Sequence, residues 1–217
     1  MTAQHSAQHS PQYDTIGDAY DFVAGLDVYH RVFWGVRVRD YRAFADAAVT
    51  ACGDGTLLDA GCGSMLFTLD AYRSQQRVAV FGCDLSMRML RIAHARLEER
   101  SRRRSAVLLQ ANVFSSPFRS KSFDVVLCMH IAHVIDDLSG LIAESSRLLK
   151  PGGRLFLTSL VLVDSWRDGY LRMLSRRGIM AGPRRSAEIV TLLREGCGSE
   201  PEAHQRGSMF FAQAMKT

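Results

Sequence analysis

The chemistry legible in this chain begins with Asp59, Gly61, Gly63 and Asp84. The stretch Leu57-Leu58-Asp59-Ala60-Gly61-Cys62-Gly63-Ser64-Met65 reads as a short buried strand, a turn and the start of a helix. Glycine has no Cβ, so the chain can turn sharply there and let a ligand lie against its backbone. An acid at the carboxyl end of the strand stands where open α/β sheets bind their ligands. A dinucleotide fingerprint, G-x-G-x-x-G, would need a glycine where Leu66 stands, and Asp59 would repel an anionic pyrophosphate. A cationic ligand suits this turn better. Asp84 lies 23 residues beyond Gly61 and closes a second apolar run, Arg77–Asp84. That spacing sets a second strand beside the first through one helical crossover, and a terminal carboxylate can take both hydroxyls of a ribose. Asp84 could instead cap the helix at Met87, but Ser86 can serve as that cap.

The elements that must position these residues alternate. Mixed i, i+3 and i+4 apolar spacing predicts two N-terminal helices, about 12–24 and 27–51, either as core or as a lid that turns Tyr20, His30 and Trp34 toward a ligand. A strand at 56–60 is followed by a helix from Ser64 to about Ser74, a strand closing at Asp84, and a helix over 86–100. Strands follow at Ala106–Gln110, running out at Ala111-Asn112-Val113, and at Phe123–Cys128, running out at Met129-His130-Ile131-Ala132-His133. Asp136-Asp137 opens a helix to Leu149-Lys150, Pro151-Gly152-Gly153 breaks it, and Arg154–Ser159 is the fifth strand. Such alternation predicts a parallel sheet wound on both sides. Val161–Pro183 carries Trp166, Tyr170, Met173, Ile179 and Met180 at the spacing of an amphipathic helix with a loop. With Phe33 and Trp34 they hint at an apolar or aromatic acceptor, although ordinary core packing accounts for them as well.

Composition narrows the class. A chain of 217 residues, 47% hydrophobic, suits one folded α/β domain. No apolar run is long enough to span a bilayer. Met1–Gln12 is polar and lacks an apolar h-region, so it reads as a disordered tail and not as a secretory signal. Five scattered cysteines without a C-x-x-C pair predict free thiols in a reducing, cytoplasmic compartment and no metal site. The formal charge of +5 is gathered partly in Arg100–Arg104 and Arg184-Arg185. A basic patch can track a phosphate backbone. Here arginines ending a helix complement its dipole, and no aromatic residues interleave with them as single-strand binding requires. Nucleic acid is therefore disfavoured as a partner, and pairing with a second copy is left open.

In sequence, Leu58-Asp59-Ala60-Gly61-Cys62-Gly63, Gly82-Cys83-Asp84-Leu85-Ser86, Ala111-Asn112 with Pro117-Phe118 and Ser122–Val126, and Leu148-Leu149-Lys150-Pro151-Gly152-Gly153 form an ordered set. From about Thr56 to Ser159 the chain resembles the class I S-adenosylmethionine-dependent methyltransferases, methyltransferase type 11 group. The resemblance implies a Rossmann-like, doubly wound, mostly parallel seven-stranded α/β sheet with a C-terminal antiparallel hairpin and N-terminal lid helices. It divides 13–217 into lid helices (13–51), a cofactor-binding core (56–159), a substrate-side insertion (160–185) and a last helix with hairpin (186–217). In that ending Ser186–Gly196 is the helix, and Pro201–Gln205 pairs with Ser208–Met215 about Arg206-Gly207.

The cofactor so implied is S-adenosylmethionine. Asp59, Gly61 and Gly63 would hold its methionine part, with Asp59 toward the amino group. Asp84 would take the ribose, and Leu85 or Met89 would pack near the adenine. Asn112, beside Val113, stands where the family usually has an aspartate, and its amide oxygen can still accept from the adenine amino group. Met129 would line the methionine pocket, and Tyr20 would close over the cofactor. The segments before 56 and over 160–185 match poorly, and those choose the substrate.

Methyl transfer needs an acceptor atom in line with the methyl group and, for a phenol or amine, a base of near-neutral pKa. His130 and His133, at the sheet's ligand edge, are the first catalytic candidates and His30 the third. His133 also falls where the family often has a structural histidine. No Asn/Asp-Pro-Pro-Tyr-type motif follows the fourth strand, where Cys128-Met129-His130-Ile131 stands. A small apolar or aromatic acceptor is therefore expected before RNA or protein. A protein that binds the cofactor without transfer is the rival from another class.

Overall fold

A computed structural model describes residues 25–75, 77–99 and 106–217. The tail, the helix expected over 12–24, Tyr20 and the Arg100–Arg104 cluster lie outside the described residues. Seven strands form one sheet: β1 (Thr56–Ala60), β2 (Ala79–Asp84), β3 (Ala106–Gln110), β4 (Phe123–Cys128), β5 (Leu149–Leu160), β6 (Glu202–Arg206) and β7 (Met209–Met215). Their order is β3-β2-β1-β4-β5-β7-β6. The first five are parallel, and β7 runs antiparallel to both β5 and β6. The expected doubly wound sheet with its C-terminal hairpin is what the chain builds.

The seven described helices are α1 (Asp27–Tyr29), α2 (Val38–Cys52), α3 (Leu69–Ser74), α4 (Met87–Glu99), α5 (Leu138–Leu148), α6 (Trp166–Arg176) and α7 (Ser186–Cys197). Central strands are apolar on both faces because both faces are covered. Leu57, Val125 and Leu127 pack into the core beneath α2 and α4. Their neighbours Leu58, Val126 and Cys128 pack into the core beneath α5 and α7. In α2 the buried set is Tyr41, Phe44, Ala45, Ala48, Val49 and Cys52, one stripe at helical spacing. Each large apolar side chain buried in this way contributes roughly 1.5–3 kcal/mol. All five cysteines are free and buried, and no described helix is long and apolar enough to cross a membrane.

Three expected boundaries move, each for a physical reason. The helix expected over 27–51 is interrupted: α1 passes into a π-helical turn, His30–Trp34, which ends at Gly35 with φ +69°. The break lets the segment dock on the β6–β7 turn, where Ser208 N–H donates to the Trp34 carbonyl at 2.7 Å. The helix after β1 begins at Leu69 and not at Ser64, because Met65 adopts φ +57°, outside helical space. Strand β5 begins at Leu149, so Pro151-Gly152-Gly153 lies within it, beside a register shift between Phe123 and Val125. Proline and glycine are tolerated at such an irregularity.

Candidate active site

The parallel register aligns Asp59 with Gly82, and the tips of β1, β2 and β4 meet at one edge. Gly61 and Cys62 both donate their N–H groups to the Cys83 carbonyl, at 2.8 and 3.0 Å, which folds the turn after β1 over the end of β2. Gly61 has φ +74° and Gly63 φ +50°, left-handed values that favour glycine. A Cβ on Gly61 would overlap Ile131, whereas one on Gly63 would meet nothing within 4 Å. Gly63 therefore faces open space among the described residues. Gly82 is closely packed: a Cβ there would lie 2.6 Å from Met65 Cε, the flexible end of that side chain.

Asp84 accepts from Gly63 N through Oδ2 and from Ser86 N through Oδ1, each at 2.8 Å. Ser86 Oγ accepts from Met89 N at 3.2 Å and is the helix cap, so Asp84 is left at the strand tip. Asp59 is buried, and its Oδ2 accepts from Tyr72 Oη at 2.6 Å and Thr68 Oγ1 at 3.2 Å. Burial pushes its pKa up to about 7 against the pull of those two hydrogen bonds, and the charge of Asp84 adds to the rise. Tyr72 and Thr68 carry no local sequence signal for this role; only the return of the chain beside β1 brings them there.

Asn112 turns its side-chain oxygen, the one expected to accept from the adenine amino group, back to accept from Phe114 N at 3.0 Å. Val113 packs at the margin of the α5–α7 core. The Leu85 carbonyl accepts from Gln110 Nε2 at 3.0 Å, while Met89 and Met129 are buried. The two glycines, Asp84, Leu85 and Asn112 thus stand along the ends of β1, β2 and β3.

The three candidate histidines share one aromatic cluster. His130, immediately beyond β4, has φ +59° and donates its backbone N–H to Thr158 Oγ1 at 3.0 Å. Its ring meets Tyr41 at 4.4 Å, Phe67 at 5.1 Å and His133 at 6.1 Å between centroids. The Nε2 atom of His130 is buried and has no hydrogen-bond partner among the described residues. Burial pushes the pKa of this ring well below the usual histidine range, with the two neighbouring histidines adding to the fall. His133 accepts from Leu160 N at Nδ1, 3.4 Å, and burial with the Arg184 charge brings it to about 4. His30 is buried and hydrogen-bonded through Nδ1 to Tyr41 Oη at 3.0 Å. Sequence reading missed Tyr41 and Phe67, which the α2 stripe and the turn after β1 bring against His130.

Trp34, Phe33 and Tyr170 pack on one another, with centroids 4.6 and 5.3 Å from Tyr170, so they build core beneath α6. Trp166 is 61% exposed and Met180 buried. Among the described residues no group of histidine, cysteine and acid could hold a metal ion.

A family model described as "Methyltransferase domain" matches residues 58–157. A ubiquinone/menaquinone biosynthesis C-methyltransferase from Syntrophotalea carbinolica is 34% identical over 148 residues, 68% of this chain and 59% of that protein. The chain thus spans less than two thirds of the length of that relative. Among solved structures, a phosphoethanolamine N-methyltransferase from Haemonchus contortus, in complex with S-adenosyl-L-methionine, superposes with a TM-score of 0.72 at 16% identity, over 94% of this chain and 57% of that one. The [4+2]-cyclase SpnF superposes with the same TM-score at 18% identity, over 95% of each chain. Likeness at that identity shows a shared fold, which by itself does not select a reaction.

Proposed function

Because the chain belongs to the class I S-adenosylmethionine-dependent methyltransferases, type 11 group, we propose that it transfers a methyl group to a small aromatic acceptor bearing an ionisable hydroxyl. When bound, S-adenosylmethionine supplies a methyl group activated by a sulfonium. The residues present fit that group. Gly63 leaves room for close approach, and Asp84 stands at the tip of β2, where a ribose hydroxyl would meet its carboxylate. The charge of Asp59 is costly when buried alone, and the donor's ammonium offsets that cost. Leu85, Met89 and Val113 would line the adenine side, with Asn112 at its polar edge and Met129 beneath the methionine.

The observation that carries the catalytic reading is the buried, unpartnered Nε2 of His130. The next residue, Ile131, packs against Gly61, so the backbone that carries His130 runs beside the glycine turn. His130 is neutral at pH 7, so its ring can take the acceptor's hydroxyl proton, although the burial that keeps it neutral also makes it a weaker base than a histidine of near-neutral pKa. Deprotonating a ring hydroxyl raises electron density on the oxygen and on the adjacent ring carbons, so the same base serves O- or C-methylation. Tyr41 and Phe67 hold the imidazole and exclude water. The name of the Syntrophotalea relative, a C-methyltransferase of quinone biosynthesis, supports an aromatic acceptor.

The test is release of S-adenosylhomocysteine with a panel of phenols, hydroquinones, amines, thiols and RNA, for the wild type and His130→Ala. Turnover on a phenol or hydroquinone, slowed about 10²–10⁴-fold by His130→Ala with donor affinity kept, is the expected result. Turnover only on RNA, or a phenol rate unchanged in His130→Ala, overturns it. Donor binding without turnover on any member would make the chain a non-catalytic binder.

A further inference from the structure

The tandem arginines Arg184-Arg185 read from sequence as a basic patch, yet both are engaged. Arg185 forms an exposed two-pronged pair with Asp164. Arg184 is different: its side chain is 13% exposed. Its Nη1 donates to the Ala132 carbonyl at 3.2 Å, and its Nη2 to the carbonyls of Ile135 at 3.1 Å and Asp136 at 2.5 Å. Its own carbonyl accepts from Leu162 N at 2.9 Å, which anchors it beyond β5. One guanidinium thus gathers three carbonyls of the turn that joins β4 to α5 and carries His130 and His133.

We propose that Arg184 is a positioning residue, clamping the turn after β4 so that His130 and His133 are held in one geometry and one tautomer. The inference rests on the reading of His130 as the base of this site. Only arginine offers a rigid planar fork of donors to several acceptors at once, and the carbonyl of the buried Ala132 would be costly to leave without a donor. The Leu160 N–H points at Nδ1 of His133, so that atom carries the lone pair and Nε2 the proton. The His133 carbonyl is fixed as well, by Ala181 N at 3.0 Å. The charged and titratable groups facing this ring are Arg184, from the segment before α7, and His130, across the turn. Glu188 of α7 lies 3.6 Å from Arg184 Nε, and β5 presents the Leu160 backbone. A cation fixed beside His133 keeps it neutral, which preserves the tautomer that the Leu160 N–H selects.

The experiment uses the full chain with ¹⁵N-labelled histidine, as wild type, Arg184→Gln and Arg184→Lys. In the wild type, NMR should show His133 neutral, with its proton on Nε2, down to a midpoint near 4. In Arg184→Gln that midpoint should rise while staying below the ordinary histidine value, because burial remains, and the His130 ring signals should move. Affinity for S-adenosylhomocysteine should stay within about threefold. Arg184→Lys keeps the charge and loses the fork, so the midpoint should stay low while amide exchange over 132–137 quickens about tenfold. Equal His133 titration and unmoved His130 signals in Arg184→Gln would overturn the clamp. If that variant does not fold, Arg184→Lys decides: unchanged exchange over 132–137 overturns the proposal, and faster exchange supports it. No acceptor is methylated in these measurements, so their failure is distinct from failure of the catalytic reading.

Discussion

Gly63 donates its backbone N–H to Oδ2 of Asp84 at 2.8 Å, which joins the bonds of Gly61 and Cys62 to the Cys83 carbonyl in tying the glycine turn after β1 to the tip of β2. The second oxygen holds Ser86 N at the same distance, at the start of α4. The carboxylate therefore shapes the two loops it would share with a nucleoside.

Asp84→Asn is the sharpest probe of that arrangement. An amide turns its NH2 against one of the two N–H groups that Asp84 accepts from, leaving a donor unsatisfied at about 1–3 kcal/mol. Affinity for S-adenosylhomocysteine should fall at least about tenfold in calorimetry, and further in Asp84→Ala. Wild-type affinity in both variants would remove Asp84 from the site.

Gly61 and Gly63 should separate stability from binding. A methyl group on Gly61 meets Ile131 as well as an unfavourable φ, so Gly61→Ala should lower stability by about 2–4 kcal/mol. Gly63→Ala carries only the backbone strain, roughly 1–2 kcal/mol, because its Cβ projects into open space. That same Cβ stands where the ligand should approach, so Gly63→Ala should bind S-adenosylhomocysteine at least about tenfold more weakly while still unfolding cooperatively. Unchanged binding in Gly63→Ala would mean that the ligand lies elsewhere.

The sheet and its acidic and glycine positions were readable because they depend on local patterns. Apolar runs buried on both faces, closed by Asp59 and Asp84, mark parallel strands without knowledge of their neighbours. The breaks were hidden because they depend on distant backbone. Gly35 interrupts the first described helix where the β6–β7 turn arrives, more than 170 residues later. The partners of Asp59 and the Tyr41–His130 contact are likewise tertiary, and periodicity marked Tyr41 only as one more buried position of a helix. Arg184 read as surface charge because composition cannot tell a solvated cation from one spent on three carbonyls.

Gly207 gives a test of that long-range docking. It has φ +56°, and a Cβ there would overlap the Trp34 carbonyl and press on Gly35. Gly207→Ala should therefore loosen the segment Asp27–Val36 and lower stability by about 2–4 kcal/mol. Hydrogen exchange should quicken at Ser208 N, whose acceptor is that carbonyl, while amides of β1 and β4 keep their protection. Uniform loss of protection across the sheet would mean that the segment is part of the global core and not a docked unit.

Two buried groups should oppose one another in the dependence of stability on pH. Asp59 is raised by burial to about 7, against about 3.9 when unfolded. The folded chain binds that proton more tightly, so Asp59 detracts from stability progressively as pH rises from about 4 to about 7. His133 is lowered to about 4, chiefly by burial and then by Arg184, against about 6.5 unfolded. Its contribution is complete above about pH 6.5 and is lost as pH falls toward 4, and His130 acts in the same direction. The two slopes therefore partly cancel between pH 4 and 7. Asp59→Asn keeps an acceptor for Tyr72 and removes one slope. Relative to wild type, its stability in urea should rise from pH 4 to 7 by at most on the order of 4 kcal/mol and then stay level. His133→Asn should show the opposite trend, since it abolishes the acid-side loss and gains on wild type as pH falls. Differences from wild type that stay constant from pH 4 to 8 would mean that neither group titrates as its burial requires.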